Sequence, residues 1–290
     1  MAVGSSSPRR RGGASASPAA ATPQPEQQRQ RPRRKTEEDG VADDDRGALP
    51  AAAYIATFVG AILVAGVRSR AVAVRGRASE SLLDDVVLGA HPLHTFVVLF
   101  SAVNVLICVW ELALWFHIDR VKQLYAHFAR VTPRGRLPSP FFVAERVKLA
   151  DALSLRHWAV VWSTYSLLDE SYTVTGSFGH CIDSGNGVTT LLPSLAMALA
   201  SADPLGVLGL SPRTFGFVSA LALWQGLYGT LLYALQYVEN RRWEKHGTSL
   251  ANIVLFVVGT NIFWVVGPAF GLYACYDMVA TDSTRVFGVA

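Results

Sequence analysis

Five long apolar stretches constrain this chain more than any other feature of its sequence. Each is close to the roughly 20 apolar residues that a helix needs to cross a bilayer. A backbone surrounded by hydrocarbon must satisfy its own hydrogen bonds, and an α-helix does so within a single segment. The stretches are Leu49–Val67, His94–Ile118, Gly179–Ser201, Phe215–Tyr237 and Leu250–Met278. The sequence therefore predicts an all-α, polytopic membrane protein with about five transmembrane helices.

The composition fits a membrane protein and argues against several soluble classes. Of the 290 residues, 51% are hydrophobic and 17% are charged. In soluble domains, charged residues make up about a quarter of the chain. The three cysteines, Cys108, Cys181 and Cys275, are scattered along apolar runs, which fits neither a disulfide framework nor a metal-ligand cluster. Basic residues flank the apolar stretches instead of covering one face of a folded domain, so we predict no nucleic-acid partner.

The first 48 residues differ sharply from the remainder of the chain. Pro, Ala, Ser, Gly and Gln alternate there with Arg9–Arg11, Arg33–Lys35 and Asp43–Asp45. Such a composition cannot bury enough apolar surface to offset the cost of ordering, so we predict a disordered, basic, low-complexity tail. Its Arg- and Ser-rich beginning also fits a transit peptide, but it has no apolar helical face. We assign residues 49–92 to the first transmembrane helix and its loop, 93–280 to a helical membrane domain, and 281–290 to a short tail.

Basic residues predict the orientation of the chain in the membrane. With about five spans, the N-terminal tail lies on the same side as the loop after the second span, which carries Arg130 and Arg146. The loop after the fourth span, with Arg241 and Arg242, shares that side. Positively charged loops favour the cytosol, so we predict a cytosolic N-terminus. The residues that argue for the opposite orientation follow the first span: Arg68, Arg70, Arg75 and Arg77.

Polar and ionisable groups concentrate at the mouth of the third span, between Trp162 and Pro193. Ionisable side chains at the edge of hydrocarbon are costly, and they usually face a bundle interior or a wet cavity. Glu111 lies well inside the second span. We predict that Glu111 and Asp183 face one lipid-sized pocket. A carboxyl removed from water binds its proton more tightly, which suits a proton donor at neutral pH.

The two acids also have structural interpretations. Glu111 could reach the membrane interface from a helix end, or it could stay protonated in a hydrogen bond. Asp183 and Ser184 could cap a helix that begins near Val188, because Asp is a favoured N-cap residue. These alternatives predict carboxyls that do not share a pocket.

Two further pairs of candidates come from the last two spans. Asn261 and Trp264 lie one turn apart, where the indole face could stabilise a cation. They could equally be a core tryptophan and an amide that bridges helices, since a buried amide needs a partner. Tyr228 and Tyr233 also fit ordinary aromatic residues of the membrane interface.

Three sequence motifs occur in a set order relative to the spans. The first is W-x-x-Y-x-x-x-D-x-x-Y, followed by C-x-acid: Trp162, Tyr165, Asp169 and Tyr172, then Cys181 and Asp183. The second is Y-G-x-x-L-Y and the third N-x-x-W-x-x-x-P: Tyr228, Gly229, Leu232 and Tyr233, then Asn261, Trp264 and Pro268. Together they resemble the emopamil-binding-protein family, the sterol delta8–delta7 isomerases, and the wider EXPERA superfamily. The resemblance covers roughly residues 95–280.

The resemblance implies an endoplasmic-reticulum enzyme of sterol biosynthesis, with a bundle of about five helices around a sterol-shaped cavity. In that family an acid protonates a ring double bond, a tryptophan face holds the carbocation, and a proton is lost from the adjacent carbon. Neither a redox cofactor nor a metal takes part, so we predict no cofactor. By position, Asp183 stands where the family has Glu, while Asn261 and Trp264 match as they stand. Glu111 matches the acid of the second span.

The resemblance also implies the groups that bind substrate, and it has departures. The residues expected to contact substrate are Tyr165, Tyr172, Asn186, Tyr228 and Tyr233. Asn186 falls where the family usually has Thr, and Ile107 occupies the position of the histidine in the family's His-x-x-x-Glu motif. Thr230 replaces an acid. These departures affect proton transfer, because a general acid must lie within hydrogen-bonding reach of its target.

Three hypotheses follow from these patterns, and the third of them is a structural multi-span protein with no lipid pocket. The first is a sterol double-bond isomerase in the endoplasmic reticulum, with a sterol or another flat lipid as its substrate. Cationic amphiphilic drugs that mimic the carbocation are expected as ligands. The lipid bilayer is the expected surrounding of the protein, and both a monomer and a homodimer are compatible with the sequence. The second is a non-catalytic membrane protein of the same fold that binds sterols or cationic amphiphiles, which Ile107 favours.

Overall fold

A computed structural model describes residues 47–133, 136–139, 141–245 and 249–289, without the side chain of Lys245. The predictions for residues 1–48 therefore lie outside the described residues, apart from Gly47 and Ala48. The described chain is almost entirely helical, and its two short strands, β1 (Leu49–Pro50) and β2 (Arg146–Val147), pair antiparallel. The predicted all-α architecture is confirmed.

The helices differ widely in length. In chain order they are α1 (Ala51–Arg75), α2 (Leu82–Gly89), α3 (Pro92–Phe116), α4 (Ile118–Val131), α5 (Leu149–Ala152), α6 (Leu155–Tyr165), α7 (Phe178–Thr189), α8 (Leu191–Ala200), α9 (Pro204–Leu208), α10 (Pro212–Glu239), α11 (Arg242–Lys245), α12 (Leu250–Asn252) and α13 (Thr260–Thr281). Short 3₁₀ turns cover Phe142–Ala144, Glu170–Thr173 and Arg285–Phe287, and a π-helical segment, Ile253–Gly259, joins α12 to α13.

Four helices in the described part of the chain are long and apolar enough to cross a membrane. They are α1, α3, α10 and the continuous helix Leu250–Thr281 that α12 and α13 form together. Local sequence signals set their starts. Ser211 accepts a hydrogen bond from the backbone of Thr214, and Pro212 follows at the first helical position of α10, where a proline costs no backbone hydrogen bond.

The predicted third span, Gly179–Ser201, is not one helix. It consists of α7, with 12 residues, and α8, with 10 residues, which meet at Thr190. Pro193 lies in the first turn of α8 and has no N–H to donate to the preceding turn, so a continuous helix cannot pass through this point without losing a hydrogen bond. Asp183 consequently belongs to a short helix that ends within the bundle.

Helix α3 is the centre of the bundle. In its most apolar 18-residue window, 61% of the residues are buried, against 17% for α1 and 28% for α10. It packs against α1, α6, α7, α8 and α13, while α10 and α13 pack mainly against each other. A polar side chain on α3 is therefore enclosed by other helices.

The arginines that follow the first apolar run are held by groups of the same chain. Arg68 Nε lies 3.0 Å from one carboxylate oxygen of Asp85, and Arg75 Nη1 lies 2.8 Å from the other. Arg70 is buried and donates to the carbonyl oxygen of Phe287 at 2.6 Å. The residues assigned to a short C-terminal tail are thus packed against α1, and Phe287 is fully buried.

Candidate functional site

A cavity of about 340 Å³ lies between α3, α6, α7, α10 and α13. Its volume falls in the range of sites that bind small molecules. The sequence-predicted residues that line it are Glu111, Asp183, Trp264, Asn261, Tyr165, Tyr172, Asn186 and Tyr233. The structure therefore brings eight of the nine candidate side chains together, from helices far apart in the sequence.

The two acids meet on this cavity. Glu111, on α3, is only 5% exposed, and its Oε2 atom has no hydrogen-bond partner among the described residues. Asp183, on α7, is partly buried and lies close enough to interact electrostatically with Glu111. Tyr172 lines the same cavity and lies close enough to interact electrostatically with Asp183. The cavity thus presents two neighbouring carboxyls in apolar surroundings.

The geometry contradicts one structural interpretation of each acid. Glu111 does not reach the interface, because it is buried at the centre of the bundle. Asp183 lies in the middle of α7. The N-cap of that helix is Ser177, whose side chain accepts a hydrogen bond from the backbone N–H of His180. Since Asp183 caps no helix, its carboxyl is free to face the cavity.

Close approach of α7 to α3 depends on one glycine. A Cβ atom on Gly187 would lie 2.8 Å from the Cβ of Glu111 and 3.1 Å from the carbonyl oxygen of Cys108. Both distances are shorter than ordinary van der Waals contact. A glycine is therefore required where α7 crosses α3, directly beside the acid.

We expect Gly187→Ala to destabilise the protein by about 1–3 kcal/mol, because the added methyl overpacks a filled contact. Gly185, one half-turn away on the same helix, has open space where a Cβ would lie. Gly185→Ala should instead stabilise α7 by about 0.5–1 kcal/mol through helix propensity. Thermal unfolding of the two variants in detergent measures the difference, and equal midpoints would contradict this packing.

The indole of Trp264 is held in place by Asn104 of α3. Its Nε1 donates to Asn104 Oδ1 at 3.0 Å, and Asn104 Nδ2 donates to Ser194 Oγ at 2.8 Å. Because an indole N–H can only donate, the amide oxygen must face the tryptophan and the amide nitrogen the serine. The pairing of Asn104 with Trp264 spans 160 residues, so no local sequence pattern reveals it.

Four tyrosines and one tryptophan form an aromatic cluster beside the acids. Tyr172 packs against Trp162 with ring centroids 4.9 Å apart and against Tyr165 at 5.3 Å. Tyr233 lies 6.2 Å from Tyr172 and 6.0 Å from Tyr237. Burial raises the pKa values of Tyr165 and Tyr172 well above their usual range, so both hydroxyls stay protonated.

Asp169 has a partner that the sequence did not reveal. It is fully buried, and its carboxylate pairs with Arg242 of α11, beyond the end of α10. It also accepts from the backbone N–H of Ser171 at 3.0 Å and from the Tyr233 hydroxyl at 3.0 Å. This ion pair ties the segment after α6 to the end of α10, one layer behind the cavity wall.

Tyr228 lies outside the cavity. It is 49% exposed and stacks on Trp224 with ring centroids 5.9 Å apart. Its neighbours Gly229 and Thr230 line the cavity instead, together with Tyr233. The prediction that Tyr228 contacts substrate is therefore not supported by the geometry.

Ile107 also lines the cavity, one turn before Glu111. The position that carries a histidine in the family resembled here thus faces the same cavity as the acids, with an apolar side chain.

No cluster of three or more His, Cys, Asp or Glu side chains suited to a metal ion occurs among the described residues. Comparison with protein-family models, curated proteins and solved structures returns no match.

Proposed function

We propose that this chain is a sterol double-bond isomerase of the cholestenol delta-isomerase type. The observation that carries the proposal is the convergence of Glu111, Asp183, Asn261 and Trp264 on one cavity of about 340 Å³. Carboxyls and an indole face are the groups that a protonation and deprotonation reaction through a carbocation requires.

In the proposed reaction, Glu111 and Asp183 serve as proton donor and acceptor. One carboxyl gives its proton to a carbon of the ring double bond, and the other carbon becomes a carbocation. A C–H bond on the adjacent carbon then breaks, its electron pair forms the new double bond, and a carboxylate takes the proton. The sum is a shift of the double bond, with no net change in protons or electrons.

Trp264 is the proposed stabiliser of the carbocation. Tryptophan has the strongest cation–π interaction of the aromatic side chains, and the attraction grows in a site from which water is excluded. The hydrogen bond from its Nε1 to Asn104 fixes the ring plane relative to α3, which carries Glu111. Cationic amphiphiles that imitate the intermediate are proposed as ligands for the same reason.

We place the chain in the endoplasmic reticulum membrane with its N-terminus in the cytosol. The chief argument against this orientation was the group of arginines after the first span. Arg68 and Arg75 are paired with Asp85, and Arg70 is bound to backbone carbonyls. Because their charges are held within the protein, these three arginines are a weaker argument for the opposite orientation.

A non-catalytic sterol- or amphiphile-binding protein is the second candidate, and Ile107 favours it. An isoleucine in the cavity wall cannot carry a proton between the acids and the lipid or water. If the reaction needs such a relay, the cavity would bind the same ligands without converting them. Tight binding of a cationic amphiphile without turnover would select this candidate.

Complementation of an isomerase-deficient yeast strain tests the proposal. Expression of the chain should restore growth, and gas chromatography should show the delta7 sterol in place of the delta8 sterol. Asp183→Asn should abolish this rescue, because the amide keeps the shape of the carboxylate and cannot accept the proton.

Glu239→Gln is the matched control, since this acid is exposed at the end of α10 and should leave the rescue intact. Accumulation of the delta8 sterol alone, with wild-type protein present at normal levels in the membrane fraction, would overturn the proposed activity.

A further inference from the structure

A chain of hydrogen bonds runs from Arg242 to the wall of the cavity. The Arg242 guanidinium pairs with Asp169 Oδ1, which also accepts from the backbone N–H of Ser171 at 3.0 Å. Asp169 Oδ2 accepts from the Tyr233 hydroxyl at 3.0 Å. The Tyr233 oxygen lies 3.2 Å from the hydroxyl oxygen of Tyr165, and both tyrosines line the cavity.

The chemistry of the chain fixes the direction of every bond in it. A carboxylate beside a guanidinium can only accept, so the single proton of Tyr233 is committed to Asp169. The bond between the two phenols must then be donated by Tyr165. Its proton is used as well, and only the lone pairs of its oxygen remain for a ligand.

Three threonine hydroxyls of the lining also donate within the protein. The hydroxyls of Thr164, Thr230 and Thr260 each donate to the backbone carbonyl one turn earlier, at 2.8, 2.9 and 2.5 Å. Asn261 Nδ2 donates one of its two protons to the carbonyl of Val257 at 2.5 Å. The donors that remain in the lining include its second proton and Trp110 Nε1, which has no partner among the described residues. Beside Tyr165, by contrast, the cavity offers a ligand acceptors, and a group that donates a hydrogen bond suits that place best.

We infer that Tyr165 is the residue that recognises the substrate's hydroxyl group, as a hydrogen-bond acceptor, and that this contact favours a hydroxysterol over the corresponding ketone. The inference rests on the proposed function and deepens it by naming the specificity-determining side chain. A ketone oxygen at this place would face only lone pairs. It would lose its hydrogen bonds to water on entering the cavity and gain none.

The test compares ligands that differ in one group. The full chain in lipid nanodiscs is titrated with a delta8 3β-hydroxysterol and with its 3-ketone, and dissociation constants are measured. The wild type should bind the alcohol about 10-fold more tightly, the size of effect that one unpaired buried polar group produces. The 3-methyl ether, which keeps the oxygen and lacks its proton, should bind no more tightly than the ketone.

Three single-oxygen deletions locate the preference. Tyr165→Phe removes the acceptor and should reduce the preference to about 2-fold or less. Tyr233→Phe frees the proton of Tyr165 to turn toward the ligand, so ketone binding should tighten. Tyr228→Phe alters an exposed hydroxyl outside the cavity and should leave the 10-fold preference unchanged.

The wild-type comparison decides the outcome even if a variant fails to fold. Equal affinity for the alcohol and the ketone overturns the inference, and continued turnover then leaves the proposed function standing. Absence of binding of either sterol, together with absence of turnover, overturns both. A 10-fold preference that persists in Tyr165→Phe assigns the recognition to another group and contradicts the inference.

Discussion

Glu111→Gln is expected to lower the rate of double-bond isomerisation by about 10²–10⁴-fold, the range that a positioned general acid or base contributes. The amide has nearly the same volume as the carboxyl, so the cavity keeps its shape. Glu111 Oε2 has no hydrogen-bond partner among the described residues, and the substitution therefore breaks no bond at that atom. Because a protonated carboxyl and an amide are both neutral and of similar size, we expect the unfolding temperature to change little.

The rate is measured by gas chromatography of the delta8 and delta7 sterols formed by purified protein in detergent. Glu239→Gln, the exposed counterpart, should retain the wild-type rate. A Glu111→Gln protein that keeps more than about a tenth of the wild-type rate would exclude proton transfer by this carboxyl.

Asp169→Ala is expected to destabilise the protein by about 3–5 kcal/mol, the usual cost of removing one partner of a buried ion pair. Asp169 is fully buried, and the side chain of Arg242 is only 13% exposed. Removal of the carboxylate leaves the guanidinium and the Tyr233 hydroxyl without their acceptor. Thermal or denaturant unfolding of the detergent-solubilised protein measures the effect.

A double-mutant cycle with Arg242→Met isolates the ion pair from other effects. The double variant should be less destabilised than the sum of the single variants, with a coupling of about 0.5–3 kcal/mol, because neither charge is left alone. The exposed pair Arg241–Glu244, with side chains 71% and 54% exposed, provides the control. Arg241→Gln should change stability by no more than about 0.5 kcal/mol. Additive single effects at 169 and 242 would refute a direct pairing.

The apolar stretches predict the helices well because length and hydropathy are local properties. The starts of α3 and α10 coincide with prolines that pre-organise the first turn. The single failure among the spans, the break at Thr190, also has a local cause in Pro193. This proline predicts a kink in the third span, but a sequence does not say whether a proline kinks a helix or ends it.

The convergence of the acids could be predicted from the sequence, and so could the position of Tyr228, which our sequence analysis assigned to the substrate. Tyr228 and Tyr233 belong to one motif, yet residues five apart on an α-helix point about 140° away from each other. Only one of them can face a given cavity unless another helix covers the second. Helical phase favours Tyr233, which shares its face with Gly229 and Thr230, and this argument was available from the sequence alone.

Long-range polar pairs lie beyond any local argument. Asp169 pairs with Arg242 across 73 residues, and Asn104 pairs with Trp264 across 160. Each residue has several chemically equivalent candidates in the sequence, and burial decides among them. The sequence pattern marked Asp169 and Trp264 as members of motifs, whereas their partners emerge only when α3, α11 and α13 are assembled.

One helix, α3, carries the acid Glu111, the cavity-lining Ile107 and the amide Asn104 that aims the indole, and it is also the most enclosed helix of the bundle. Substitutions that retune its chemistry would therefore disturb the packing of five neighbours at once. We expect altered substrate preference, whether by natural divergence or by directed evolution, to arise through α10, whose most apolar window is only 28% buried and where side chains can change with less loss of stability.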